Sequence, residues 1–421
     1  MRTYLRTHAW ISFELDLARL PWTTWMLLGE AQSKLAHLAG VPLQPDTAEK
    51  LHLLYLAKGA LATTAIEGNT LSEDEVIKLL QGDLKLPPSK QYLAQEIDNV
   101  VRACNSIWND GPSRLTPELI KEFNQRVLQN LSVAEEVVPG QVRRHEVGVM
   151  RYRGAPPEDC EYLLARLCGW LEEPAFQGTE ETRAAFSVLR AIVAHLYIAW
   201  IHPFGDGNGR TARLVEFEIL VAAGVPAPAA HLLSNHYNET RTEYYRQLDY
   251  ASKSGGDVTK FLHYAIQGFV DKLREQISYI KDQQHDVAWR NYVYDVFALD
   301  ASPTAVRQRM LLLDLSTYDE PVDRRLLSTI SPRVAAAYFG KTQKTLSRDV
   351  NELAQKQLLE IRGPMCRPRK ELILAFLPKR HPPANDTASP RGRASSAAIQ
   401  RTALQMKQLA LPFSRRKSKR R

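Results

Sequence analysis

The sequence predicts a mainly α-helical protein, a helical bundle that carries one β-hairpin and is followed by a small α+β domain. Apolar residues recur at helical spacing from about Ile11 to Asp286, with breaks at Pro and Gly clusters. Residues 137–159 interrupt this pattern with alternating β-branched residues, which favours a hairpin. From about 287 to 378, short helical patterns precede the strand-like runs "LLEIRG" and "ELILAFL".

Length and charge predict how the chain is divided. Its 421 residues exceed what one core usually supports, and we expect an N-terminal helical region (1–110), a helical core (111–285), a small α+β domain (286–380) and a tail (381–421). The tail holds ten Lys/Arg and one acid, a charge of +9, so subtraction from the total of +8 leaves −1 for the rest. Its Pro, Ser, Ala and Arg content predicts disorder.

Composition also excludes some classes of protein. No apolar run approaches the ~18 residues that span a bilayer, and the N-terminus has no apolar signal-peptide core, so we expect a cytoplasmic protein without a membrane partner. The four cysteines form no CxxC pair, which argues against a disulfide framework or a zinc site.

A glycine-rich loop, "HPFGDGNGR", lies between two predicted helices. The preceding run "TRAAFSVLRAIVAHLYIAWI" is apolar on most faces, as in a buried helix, and Pro203 ends it with His202 on the last turn. A second helix begins near Gly209. Gly205 and Gly207 therefore lie at a helix N-terminus, where unpaired N–H groups and the helix dipole favour an anion.

The charged residues of this loop indicate phosphoryl or nucleotidyl transfer. Arg210 and Arg213 are three residues apart, so both guanidinium groups can face one polyanion. Asp206 is a hard oxygen ligand suited to Mg²⁺ bound to phosphates, and His202 can remove a proton from a hydroxyl. The alternative is a purely structural turn with glycine caps and Asp206 as N-cap.

At these residues the chain resembles the Fic family, whose signature is HPFx[D/E]GNGRxxR. The resemblance covers about residues 10–285, and every fixed position matches: His202, Pro203, Phe204, Asp206, Gly207, Asn208, Gly209, Arg210 and Arg213. It implies transfer of AMP from ATP to a Ser, Thr or Tyr hydroxyl of a target protein or of the protein itself. The family branch that uses the γ-phosphate has a lysine in this glycine segment, whereas this chain keeps Gly209.

The resemblance also implies a role for each signature residue. His202 corresponds to the general base and Asp206 to the residue that holds Mg²⁺. Gly207, Asn208 and Gly209 correspond to the anion hole. The family's arginines, here Arg210 and Arg213, hold the outer phosphates of ATP, and Phe204 anchors the loop in the core.

A second motif, "TTAIEGN", closes a helix predicted from about Asp46 to Gly68. Taken alone, Glu67 reads as a solvated acid beside a helix end. The inhibitory motif of the Fic family, [S/T]xxxE[G/N], is matched by Thr63, Glu67 and Gly68. The resemblance implies that Glu67 pairs with Arg213, blocks the seat of the γ-phosphate and leaves the enzyme mostly inactive.

Two further segments resemble parts of the Fic site. Arg143, Val147 and Val149 match the family's flap, whose exposed edge can dock an extended target segment through main-chain hydrogen bonds. The alternative is an inert surface hairpin. In "HYNETRTEYYRQL", Asn238 and Tyr245 match residues beside the nucleotide, together with Tyr244 and Leu248, although an aromatic pair on a helix also suits a core.

The region after residue 330 suggests a winged helix. "SPRVAAAYFGKTQKTLSRDVNELAQ" predicts two helices around a turn at Gly340, and two strands with a basic loop follow. DNA could meet basic residues of the second helix and the loop: Lys341, Lys344, Arg348, Arg367, Arg369 and Lys370. The alternative is protein contact, including a homodimer. The tail "SRRKSKRR" can bind any polyanion.

The sequence thus predicts an autoinhibited protein adenylyltransferase that uses ATP and Mg²⁺. Two alternatives use the same site: removal of AMP from a modified protein, or transfer of another nucleotide. A third is a DNA-binding regulator that senses ATP.

Overall fold

The computed structural model describes residues 2–111, 113–149 and 152–374. The chain divides into two compact units, one reaching to Ile277 and one starting at Ser278, so the division falls within a long helix, Thr259–Val296. The predicted basic tail, 381–421, lies outside the described residues.

The first unit is a helical bundle with one two-stranded hairpin. Its helices are α1 (Tyr4–Thr7), α2 (Trp22–Gly40), α3 (Pro45–Ala65), α4 (Glu73–Gln81), α5 (Gln91–Asp110), α6 (Pro117–Val127), α7 (Pro157–Trp170), α8 (Arg183–Ile201), α9 (Asn208–Ala222), α10 (Ala227–Ala230), α11 (Leu232–Glu239), α12 (Arg241–Lys253) and α13 (Thr259–Val296). The strands β1 (Gly148–Val149) and β2 (Tyr152–Arg153) pair antiparallel, with Gly148 opposite Arg153. The predicted helical bundle with a hairpin is confirmed.

Helix α8 forms the centre of this bundle. It packs against α9, α2 and α7, and its Tyr197 and Trp200 are fully buried. Residues 180–201 are long and apolar enough to cross a membrane by length and composition, so the expectation that no run approaches that length is wrong. However, 78% of the apolar window is buried within the protein, as in the core helix of a bundle.

Helix α3 brings the second sequence motif to the bundle. It begins with Pro45 in its first turn, a position where the missing N–H costs nothing, and it packs against α5, α9 and α11. The helix ends at Ala65, earlier than predicted, because the chain turns towards Gly68, whose φ is +110°. Glu67 therefore lies in the turn that follows the helix.

The second unit combines the end of α13 with helices and a three-stranded antiparallel sheet. Its further elements are α14 (Pro303–Leu315), β3 (Val322–Asp323), α15 (Pro332–Tyr338), α16 (Gln343–Gln355), β4 (Leu359–Arg362) and β5 (Met365–Pro368), with strand order β3-β5-β4. Its core includes Trp289, Phe297 and Leu312.

The sequence placed one strand of this sheet wrongly. The sequence predicts a strand at "ELILAFL", of which residues 371–374 belong to the described part of the chain; these form a 3₁₀ turn, Lys370–Leu374, and the strand that pairs with β4 is β5, Met365–Pro368. Arg362 pairs with Met365 across a two-residue turn in which Gly363 has a φ of +60°. A left-handed glycine lets the chain reverse at once, so the strand forms directly after the turn.

Candidate active site

The glycine-rich loop begins with a sharp turn at His202. Helix α8 ends at Ile201, and His202 has φ +49° and ψ 59°, a left-handed conformation that is costly for a residue with a side chain. Arg143 holds this turn: its Nε donates to the His202 carbonyl at 2.8 Å, and its backbone N–H donates to the Pro203 carbonyl at 3.0 Å. The strained turn places the imidazole at the edge of a cavity.

The His202 imidazole is set up to accept a proton. The ring is buried, and its hydrogen bond with the Ala199 backbone raises its pKa less than burial lowers it. Burial lowers the pKa of His202 to about 4, and the nearby Arg143 charge acts in the same direction. The ring is therefore neutral at pH 7, the form that a general base requires.

Helix α9 starts at the end of this loop and points its N-terminus at the same cavity. Gly207 is the N-cap residue with φ +74°, a conformation that favours glycine. The buried Asn208 side chain closes the loop with two hydrogen bonds, accepting from the Phe204 N–H at 2.9 Å and donating to the Phe204 carbonyl at 2.8 Å. Because its amide oxygen and nitrogen are used in these bonds, only the backbone N–H of Asn208 is available to the predicted anion hole.

The first signature arginine is held by two carboxylates. Nη2 of Arg210 lies 3.1 Å from Asp206 Oδ1, and Nη1 lies 3.2 Å from Glu96 Oε1. Glu96 on α5 also accepts from the Asn69 amide at 2.9 Å, which links Arg210 to the segment after α3. Glu96 was missed from the sequence, because one acid on an amphipathic helix carries no signal of its own.

The second signature arginine is paired with Glu67. Nη2 of the buried Arg213 donates to Glu67 Oε1 at 2.6 Å and to the Thr63 carbonyl at 2.8 Å. Burial opposes ionisation of Glu67, but the Arg213 charge outweighs it and lowers the pKa of the carboxyl below its ordinary value. Thr63 takes part through its carbonyl oxygen.

Gly209 makes room for this ion pair. A Cβ at Gly209 would lie 2.1 Å from Glu67 Oε1 and 3.1 Å from the Arg213 guanidinium. The carboxylate therefore rests directly on the first turn of α9, where the helix N-terminus attracts anions. The same surface is the one predicted to receive phosphates.

Asp206 fits the predicted role in holding Mg²⁺. Its side chain is half exposed beside the N-terminus of α9, and Arg210 and the Gly207 N–H contact its Oδ1. No group of three or more His, Cys, Asp or Glu side chains that could hold a metal occurs in the part of the chain that the structure describes. A single carboxylate suits Mg²⁺ that takes its other ligands from phosphates and water.

A cavity of about 570 Å³ extends from this site towards α12. Glu67, His202 and Arg213 line it together with Tyr244 and Tyr245. This volume is within the range of small-molecule sites. Asn238, on α11, is not among the residues that line this cavity, whereas Tyr245 is, and the nucleotide role of both stays a prediction.

Arg143 has a structural role in place of the predicted role in docking a target. Arg143 is 4% exposed, and its guanidinium donates to the carbonyls of His202, His145 and Ala155, so it cannot dock a target from this position. It anchors the hairpin to the catalytic loop. Val147 is half buried, and the exposed Gly148 of β1 leaves main-chain groups at the surface.

Asn124 on α6 is a second residue that the sequence did not reveal. Its fully buried amide donates to the Asp206 carbonyl at 2.9 Å and accepts from the Gly140 N–H at 2.9 Å. It joins the chain leading to the hairpin to the anion-binding loop.

The site consists of a histidine at a strained helix end, a glycine loop at a helix N-terminus and two arginines on one helix. Residues 114–220, which contain all of these features, match the Fic/DOC family model. The chain is 29% identical over 262 residues to protein adenylyltransferase fic-1 of Caenorhabditis briggsae, covering 61% of this chain and 48% of that protein. The match to the protein of the same name in Caenorhabditis elegans is 30% over 229 residues, with 53% and 42% covered.

The chain thus spans about half the length of these two relatives. A solved structure of a Fic family protein from Desulfovibrio desulfuricans shares the fold, with a TM-score of 0.53 and 19% identity, covering 84% of this chain and 97% of that one. At this identity the likeness concerns the fold alone.

Proposed function

We propose that the protein is an autoinhibited protein adenylyltransferase that transfers AMP from ATP to a hydroxyl side chain of a protein. The observation that carries this proposal is the Glu67 carboxylate on Arg213, at the N-terminus of α9 and in the cavity that His202 lines. A carboxylate there mimics a phosphate, so the site has the chemistry to bind one. Relatives named protein adenylyltransferase support the reaction.

The phosphates of ATP bind where α9 begins. The N–H groups of its first turn, at Asn208, Gly209 and Arg210, have no acceptor within the helix and donate to the phosphate oxygens, and the helix dipole adds to the attraction. Arg213, once free of Glu67, holds the terminal phosphate. Mg²⁺ held by Asp206 would neutralise phosphate charge. The nucleoside half extends into the cavity beside Tyr245.

His202 then activates the target. The neutral imidazole takes the proton of a Ser, Thr or Tyr hydroxyl as its oxygen attacks the α-phosphorus. The new O–P bond forms as the bond from the α-phosphorus to the bridging oxygen breaks. The products are the AMP-modified side chain and pyrophosphate. An exposed main chain at β1 suits an extended target segment beside His202.

Transfer of radiolabel from ATP tests this proposal. The Glu67→Gly protein is incubated with Mg²⁺ and either α-labelled or γ-labelled ATP, alone and with extract of its own cells. We expect protein labelling from the α-label only, because AMP and not the γ-phosphate is transferred. Labelling from the γ-label, or none from either, would contradict AMP transfer, and His202→Ala in the same background controls for contaminating activity.

The reverse reaction and DNA binding have less support. Removal of AMP would use the same residues, and no contact favours it. The order α14-β3-α15-α16-β4-β5 in the second unit supports a winged helix, and Lys341 and Lys344 are exposed before and on α16. However, Arg367, Arg369 and Lys370 are paired with carboxylates, which lowers the positive charge available to DNA.

Gel retardation of duplex DNA tests the second unit directly. The full chain is compared with a chain that ends at residue 380 and with the Lys341→Ala, Lys344→Ala double variant. DNA binding that requires the two lysines would favour a regulator. Binding that depends on the tail alone would be non-specific.

A further inference from the structure

Behind the nucleotide cavity lies a buried cluster of four polar residues that the proposed reaction does not use. Glu216 of α9 and His195 of α8 are both 0% exposed, and Tyr237 and Tyr244 enclose them. His195 precedes His202 by two helical turns, and Glu216 follows Arg213 by three residues, so the cluster lies beneath the catalytic groups. Tyr244 and His195 also line the cavity.

Two hydrogen bonds and one electrostatic contact join the four residues into one chain of polar contacts. Tyr237 Oη donates to Glu216 Oε1 at 2.9 Å, and His195 Nδ1 lies 3.2 Å from Glu216 Oε2. This contact does not have hydrogen-bond geometry, because neither of these last two atoms has a hydrogen-bond partner among the described residues; it is an electrostatic contact between the ring nitrogen and the carboxylate. His195 Nε2 lies 2.8 Å from Tyr244 Oη, which ends the chain at the cavity wall.

The Glu216 carboxylate determines which group donates and which accepts in each of these polar contacts. Its negative charge favours a proton on the ring nitrogen that faces it, so the proton of His195 lies on Nδ1. With this single proton on the ring, Nε2 accepts a hydrogen bond from the Tyr244 hydroxyl. The Tyr244 oxygen can then only accept a hydrogen bond from a group in the cavity.

We propose that Glu216 and His195 are positioning residues that orient the Tyr244 hydroxyl as a hydrogen-bond acceptor for the nucleoside half of the nucleotide. This inference rests on the proposed function. Phosphate oxygens are acceptors and cannot satisfy the Tyr244 oxygen. The donors that ATP offers are its ribose hydroxyls and the exocyclic amine of adenine. A hydrogen bond from one of these donors to Tyr244 makes the cavity bind ATP more tightly than an analogue that lacks that donor.

Glu216→Gln reverses the donor and acceptor roles along these polar contacts without changing the size of the side chain. The hydroxyl of Tyr237 still donates to the amide oxygen, so the amide NH₂ faces His195 Nδ1. Nδ1 must then accept, Nε2 carries the proton and donates to Tyr244, and the Tyr244 proton points into the cavity. Tyr244→Phe removes the hydroxyl altogether. Tyr237→Phe is the matched control, because it leaves the Glu216 carboxylate facing His195.

Calorimetry with Mg²⁺ measures the preference, using protein that carries Glu67→Gly to free the site and His202→Ala to prevent turnover. The ligands are ATP, 2′-deoxy-ATP, 3′-deoxy-ATP and purine riboside triphosphate, which lacks the amine. We expect this parent protein to bind ATP about two- to tenfold more tightly than one of the three analogues, as for one neutral hydrogen bond. That analogue identifies the donor.

The ratio for that analogue should fall to about one in Glu216→Gln and in Tyr244→Phe and persist in Tyr237→Phe. A parent that binds all four ligands equally would overturn the inference. So would variants that weaken all ligands by the same factor, since that marks a structural role. A parent that binds no nucleotide would instead contradict the proposed function. If Glu216→Gln fails to fold, Tyr244→Phe, which leaves the buried carboxylate paired, decides alone.

Discussion

Substitution of Glu67 by glycine removes the carboxylate that occupies Arg213, and we expect AMP transfer to rise. The Glu67–Arg213 contact of 2.6 Å is a charge-assisted hydrogen bond. Such a bond contributes about 1.5–3 kcal/mol, and each ~1.4 kcal/mol is a factor of ten. Because 35% of the Glu67 side chain is exposed, solvent screens the pair, so we expect an increase near the lower end of a range from about ten- to hundredfold.

The assay compares initial rates of AMP incorporation at equal protein, ATP and Mg²⁺. Glu67→Gln, which keeps the side-chain size but loses the charge, should also be activated, though less than Glu67→Gly because it still blocks part of the site. Glu49→Gln is the matched control, since it removes an exposed acid from the first turns of α3, the helix that precedes the Glu67 turn. Equal rates for wild type and Glu67→Gly would refute the inhibitory role of the contact.

Three further predictions concern the residues around His202. His202→Ala in the Glu67→Gly background should lose about 10²- to 10⁴-fold in rate, with ATP affinity nearly unchanged, because the ring is a base and not a phosphate contact. Burial lowers the pKa of His202 from its ordinary value of 6.5 to about 4 in the folded protein, so between pH 4 and 6.5 the unfolded chain binds more protons than the folded one. Chemical denaturation should therefore show wild type losing stability relative to His202→Asn as the pH falls from 6.5 to 4. Arg143→Ala leaves three carbonyls without their donor and should lower the free energy of unfolding by at least about 2 kcal/mol, whereas the exposed neighbour Arg144→Ala should have little effect. Equal stability of these two variants would contradict the anchoring role of Arg143.

Local sequence predicted the helices that build the site and the loop between them. The apolar run of α8, Pro203 after its end and the glycines before α9 each act on neighbouring residues, so their effect can be read without the fold. The sequence motif around Glu67 likewise led to the correct partner, Arg213, through the resemblance to a known family.

Contacts between distant parts of the chain could not be predicted in this way. Arg143 was assigned to an exposed hairpin, and only the fold shows the three carbonyls that bury its guanidinium. Glu96, Asn124 and Glu216 are single polar residues on helices, and nothing in their local sequence distinguishes them from solvated side chains. Strand β5 was misplaced because the turn at Gly363 outweighed the apolar pattern of the following residues.

In the proposed mechanism, Glu67 and the terminal phosphate of ATP compete for Arg213. Calorimetric affinities for ATP, ADP and AMP, measured with Mg²⁺ on His202→Ala proteins with and without Glu67→Gly, show whether this competition occurs. We expect Glu67→Gly to tighten ATP binding markedly more than ADP binding and to leave AMP binding nearly unchanged, because only the terminal phosphate reaches Arg213. An equal gain for all three nucleotides, or no gain for ATP, would contradict this competition.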